Sequence, residues 1–259
     1  MKHRVERLNK FLKDTLSSWE AVECITTDPR SEIFTYDPYF ALVIDVYHRG
    51  EIPPPQDRRN AFGDPGAFET ATGRTKDRFF LEEIPIRIEY KEIEAMERLA
   101  EKPLQHLKIL KNSGTYTFYR LQNNKVIYDK SGWIETARAL LLRFPPHAWE
   151  ALRDSFSMKM EHYLADMGAA LFSDDRFFLL LSTAGLMRYA AASIFMANRQ
   201  FEPSHRDIEE KLRALPCMPE EFWTAWETLL DPDKDIAPQR RFELARIMAN
   251  AVFSVSCSF

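Results

Sequence analysis

One carboxylate stands alone inside the apolar run Leu42-Val43-Ile44-Asp45-Val46-Tyr47. An unpaired acid in a hydrophobic strand is costly, so Asp45 must meet a cation, a metal or hydrogen-bond donors. Cations are plentiful in the stretch 51–78, where Arg58, Arg59, Arg74, Lys76 and Arg78 stand against Asp57, Asp64, Glu69 and Asp77. Prolines and glycines keep that stretch from forming a long helix or strand, and such loops often carry binding groups. It offers cations to phosphate; the alternative is a solvated excursion whose charges pair locally. Arg87, two residues before Glu89, is a further partner for Asp45 if their strands are neighbours, which would make the acids part of a structural ion pair.

Other reactive residue types are not arranged for chemistry. The six histidines show no ligand spacing with a second His or Cys. Ser182, Ser193 and Ser204 lack a nucleophile-elbow context, and the eight glycines form no phosphate-loop or dinucleotide fingerprint. Met158, Met160, Met167, Met187 and Met196 suit a helical core. Cys24, Cys217 and Cys257 are odd in number and widely spaced, which favours reduced cysteines in an intracellular setting.

The elements that must position Asp45 follow from periodicity. Val5, Leu8, Phe11, Leu12, Leu16 and Trp19 mark an N-terminal helix with one buried face, followed by a strand at Val22–Thr26. The strand around Asp45 comes next. Ile84–Tyr90 alternates, with Ile86, Ile88 and Tyr90 on one face and Arg87 and Glu89 on the other. A helix through Ile93, Met96 and Leu99 breaks near Pro103 and resumes through Leu107 and Leu110. Thr115–Leu121 and Val126–Tyr128 read as a hairpin turning at Gln122–Lys125.

From Trp133 onward the helical period dominates. Trp133–Phe144 ends at Pro145-Pro146, and the next helix carries an apolar seam of Trp149, Leu152, Phe156, Met160, Tyr163, Met167 and Leu171. Phe177–Asn198 is apolar on most faces and reads as a central core helix; Arg188 in its middle would cost about 2.5–3.5 kcal/mol in a membrane. Pro219 and Pro238 open two more helices. The expected architecture is α+β, with a mixed sheet domain over 1–131 and an all-helical bundle over 132–259.

Bulk composition agrees with a folded protein: 259 residues, 45% hydrophobic and 13% aromatic. A net charge of −4 argues against an extended nucleic-acid surface. The first residues are amphipathic, with no secretory signal, and the expected location is cytoplasmic, away from membranes.

The order of elements, together with Tyr36-Asp37-Pro38-Tyr39-Phe40, Leu42-Val43-Ile44-Asp45-Val46, Ile86-Arg87-Ile88-Glu89-Tyr90 and Asn198-Arg199-Gln200-Phe201-Glu202-Pro203, resembles the nucleotidyltransferase superfold. This is the polymerase-beta-like group that includes the aminoglycoside nucleotidyltransferases. The resemblance implies Asp45 and Glu89 as catalytic acids, with Asp37 a third metal ligand, and Mg²⁺ as cofactor. It implies a nucleoside triphosphate bound by Arg58, Arg59 or Arg78, and transfer of a nucleoside monophosphate to a small molecule or protein. Active members pair two acids at alternate strand positions so that both reach shared divalent ions. Here the partner positions are Val43 and Tyr47, and the turn at Thr27–Ser31 lacks glycine. The alternative is therefore an inactive relative that binds a ligand or partner.

Overall fold

Val5, Leu8, Leu12 and Leu16 are buried, so the N-terminal helix is held by its apolar stripe, since most helical stability in proteins comes from packing an amphipathic face. A computed structural model describes residues 2–32, 40–231, 236–255 and 257. Asp37 and the rest of Tyr36–Tyr39 lie outside them. In chain order come α1 (Lys2–Ser17), β1 (Val22–Thr27), a 3-10 turn (Pro29–Glu32), β2 (Leu42–His48), α2 (Pro55–Ala61), β3 (Glu69–Thr70), β4 (Lys76–Leu81) and β5 (Ile84–Glu92). There follow α3 (Ile93–Glu101), α4 (Leu107–Ser113), α5 (Tyr116–Asn123), β6 (Lys125–Asp129), α6 (Trp133–Leu142), α7 (Pro146–Phe172), α8 (Arg176–Ala197), α9 (Ile208–Arg213), α10 (Phe222–Leu230) and α11 (Pro238–Ser254).

Two compact units divide the chain. The first comprises Met1–Lys102 and Arg120–Arg143, the second Pro103–Tyr119 and Phe144–Phe259. The division is discontinuous, so α6 belongs with the sheet unit and the composition change at 131–132 lies inside that unit.

In the first unit the described strands form one mixed sheet in the order β3-β4-β5-β2-β1-β6. Only β2 and β5 run parallel, with Asp45 in register with Glu89. One face carries Leu42, Ile44, Val46, Ile86, Ile88 and Tyr90 into a core with the α1 stripe. Phe62 stacks on Phe79 and Trp19 tilts against Phe62 in the same core. The other face carries Asp45, Tyr47, Glu89 and Lys91 because successive strand residues point to opposite sides. Here Trp133 of α6 meets Tyr47, with ring centroids 5.0 Å apart.

The expected hairpin at 115–128 is a helix followed by a strand. Thr, Tyr and Phe favour strands locally, but that preference yields to tertiary context. Thr115 donates its N–H to Glu202 Oε2 (3.3 Å), and its Oγ1 accepts from the Glu202 N–H (2.8 Å). The start of α5 is therefore fixed by a residue 87 positions away, an interaction no local pattern reveals.

In the second unit α7 packs along α8. An added Cβ at Gly185 would overlap the Tyr163 ring, so glycine permits this close approach. Phe118, Phe144, Trp149 and Phe201 cluster with centroids 4.6–6.0 Å apart. Of α8, Leu186, Met187 and Ala190–Met196 are buried, whereas Phe177, Leu180 and Leu181 are exposed; the helix is central over its second half, not throughout. By length and composition α8 alone among the described helices passes as a candidate span, a test that soluble core helices also pass. Cys217 and Cys257 form a disulfide, which corrects the expectation of three reduced cysteines; Cys24 is free and buried.

Candidate functional site

Asp45 has no exposed side-chain surface and meets two cations. Its Oδ1 lies 2.8 Å from Lys91 Nζ and 2.6 Å from an Arg120 terminal nitrogen, while Asn124 donates to Oδ2 at 3.3 Å. Lys91 reaches this point by strand geometry: it is two residues beyond Glu89 on β5, hence on the same face. Arg120 reaches it from α5. Arg138 of α6 holds the end of that helix, donating to the Leu121 and Asn124 carbonyls at 3.1 and 2.6 Å.

Glu89 closes the network. Arg120 lies 3.0 Å from it, Lys76 3.1 Å and Lys91 3.8 Å. Burial pushes the Glu89 carboxyl up, but Arg120, Lys91 and Lys76 together outweigh it, leaving the pKa below its ordinary value. Burial pushes Lys91 down; Asp45 opposes that shift and Arg120 adds to it. Beneath them Lys91 Nζ sits 5.6 Å from the centre of the Tyr47 ring, whose phenol is driven up by burial and then by Asp45.

Two carboxylates therefore face three cations. A divalent ion placed between Asp45 and Glu89 would have to displace Lys91 and Arg120, which occupy the carboxylate oxygens at contact distance. Position 43 is valine and position 47 tyrosine, so neither alternate site supplies a replacement oxygen ligand of the hard type Mg²⁺ prefers. Among the described residues no group of three or more His, Cys, Asp or Glu is placed to hold a metal ion. The described residues do not fit Mg²⁺.

Arg87, one of the cations considered for Asp45, is in register with Val43 and exposed. The structural ion pair exists, but Lys91 and Arg120 make it. Lys91 was detectable from the same alternation that singled out Glu89. Arg120 was not, because its segment reads locally as a strand.

The loop arginines have separate fates. Arg58 is a core residue: Nε and a terminal nitrogen each bind Asp77 at 2.8 Å, and another donates to the Pro53 carbonyl at 2.9 Å. Asp77 also accepts from Thr70 and Tyr90 hydroxyls at 2.8 and 2.7 Å. With both partners at 1% exposure or less, Arg58 cannot serve as the expected phosphate ligand. Arg59 pairs with Asp64 at 2.6 Å. Arg78 is exposed on β4, opposite Arg87.

Asn198 is structural as well. Its side chain donates to the Ile194 and Cys217 carbonyls and accepts the Cys217 N–H, which closes α8 and pins the 217 segment.

No protein-family model and no curated protein matches the chain. A search of solved structures does find matches, among them a nucleotidyltransferase-like protein from Exiguobacterium sibiricum 255-15. That likeness has a TM-score of 0.52 at 11% sequence identity and covers 95% of this chain and 73% of the other. The chain thus has a nucleotidyltransferase-like α+β fold, a mixed sheet with a helical C-terminal region.

Proposed function

We propose that this chain is a ligand-binding protein of nucleotidyltransferase-like fold that does not carry out metal-dependent nucleotidyl transfer. The supporting observation is the neutralisation of Asp45 and Glu89 from within, by Lys91 and Arg120 at 2.6–3.8 Å. In a two-metal site the carboxylates are free to draw in cations that bridge the phosphates. Here the same acids hold the sheet to α5. Fold and chemistry separate readily, so the likeness in architecture does not oppose this reading. We take the ligand to be anionic on the likeness of fold alone, a nucleoside triphosphate being the natural first probe.

The test is Mn²⁺ titration of the intact protein, followed by the metal's magnetic resonance signal, on wild type and Asp45→Asn. The expected result is no binding that depends on Asp45. Saturable Mn²⁺ binding in wild type, lost in Asp45→Asn, or Mg²⁺-dependent pyrophosphate release from a nucleoside triphosphate, would overturn the proposal.

A further inference from the structure

Strands β4 and β5 present three successive cross-strand pairs on the face that carries Glu89: Lys76 with Glu89, Arg78 with Arg87, and Phe80 with Pro85. The alternate residues Asp77 and Phe79 point inward and are buried, which fixes Lys76, Arg78 and Phe80 outward. Lys76 is paired with Glu89. Arg78 and Arg87 are directly opposite one another, and among the described residues neither makes an ion pair or side-chain hydrogen bond. Glu69 on β3 is the other cross-strand neighbour of Arg78, but it forms no ion pair with it. Like charges directly opposite in a ladder are destabilising, and among the described residues no ion pair offsets this couple. Phe80, two residues along β4 and 51% exposed, lies about 7 Å further on, a span one small molecule bridges.

We propose that the Arg78–Arg87 pair is a phosphoryl-binding site and that Phe80 receives a flat ring of the same molecule. Guanidinium groups suit phosphate because they donate paired hydrogen bonds in a planar fork and keep their charge. An exposed aromatic ring adds sequence-tolerant stacking. The site lies outward from the acid pair and needs no metal, since both positive charges come from the chain. Glu89 does not repel the anion, because Lys76 and Arg120 already balance it. The inference rests on the anionic-ligand reading above and places the ligand.

The experiment is calorimetric titration in EDTA with pyrophosphate, ribose 5-phosphate and ATP. It compares wild type, Arg78→Ser/Arg87→Ser and Phe80→Ser, with thermal melts to confirm folding. Wild type is expected to bind ATP and pyrophosphate, and ribose 5-phosphate more weakly because it carries a single phosphoryl group and no base. The double arginine variant should weaken both by about tenfold or more, the usual scale for losing charged hydrogen bonds. Phe80→Ser should weaken ATP while sparing pyrophosphate and ribose 5-phosphate. Failure of wild type to bind any of the three, or binding unchanged in the double variant, would overturn the site; an unchanged ATP affinity in Phe80→Ser would overturn the ring contact. Binding unchanged in the double variant overturns this site alone and leaves the anionic-ligand reading standing, failure of wild type to bind any probe counts against both, and the absence of metal chemistry is tested apart by Mn²⁺ at Asp45.

Discussion

Lys91 Nζ lies 2.8 Å from Asp45 Oδ1, a buried contact between neighbouring parallel strands that occupies the oxygen a metal would need. Replacing Asp45 by Asn would leave Lys91 with burial and the Arg120 charge acting on it and only Glu89 in opposition. Breaking a buried ion pair from one side costs about 3–5 kcal/mol. Asp45→Asn should therefore show a large loss in urea-unfolding stability, and Glu89→Gln a smaller one because Glu89 is partly exposed. Equal, negligible losses in both would contradict the structural role.

Acid should reach this network through Glu89. Its folded pKa is below its ordinary value of 4.5, so its stabilising contribution is present above pH 4.5 and is lost as pH falls through the folded pKa. Unfolding midpoints of wild type should decline below about pH 4.5, with a shallower decline in Glu89→Gln. Parallel acid limbs for the two proteins would show that Glu89 is not part of the response.

Arg58 is held as a buried structural partner of Asp77. Its two-point contact with Asp77 is buried, and Asp77 takes two further hydroxyl donors. Arg58→Met should destabilise the sheet unit by about 3–5 kcal/mol, because Asp77 would remain buried without its cation. Where the variant remains folded, anion affinity should match wild type. A drop in affinity with unchanged thermal stability would return Arg58 to the ligand.

The disulfide is open to a simple thiol count. Without reductant the denatured protein should expose one reactive thiol, Cys24, and with reductant three. In the folded state Cys24 should stay silent, because burial pushes its thiol to about 12. Closing a segment with a sequence separation of 40 typically contributes about 2–4 kcal/mol, so reduction should lower the melting temperature of the helical unit. Three reactive thiols in unreduced, denatured protein would rule the bridge out.

Much of the architecture was legible from local pattern. The periodic seams of α1 and α7, the alternation of β5 and the prolines that open α7 and α11 describe how each segment meets solvent. Asp45 was legible because an acid in an apolar strand demands a cation, a metal or hydrogen-bond donors, and Glu89 was joined to it through the family resemblance. Lys91 was within reach by the same alternation. What the sequence could not supply were partners brought together only by folding: Arg120 on a segment whose composition favours strand, Glu202 capping that segment from 87 residues away, and Asp77 drawing Arg58 out of the loop and into the core.

By itself, then, the sequence determined that Asp45 could not stand unanswered, since burying a lone carboxylate is too costly at any position. Only the tertiary structure decided that Lys91 and Arg120 are the cations that meet it. Which cation lies within 3 Å of a carboxylate depends on strand register and on whether residues 116–123 coil into a helix, and both are settled by contacts distant in the chain.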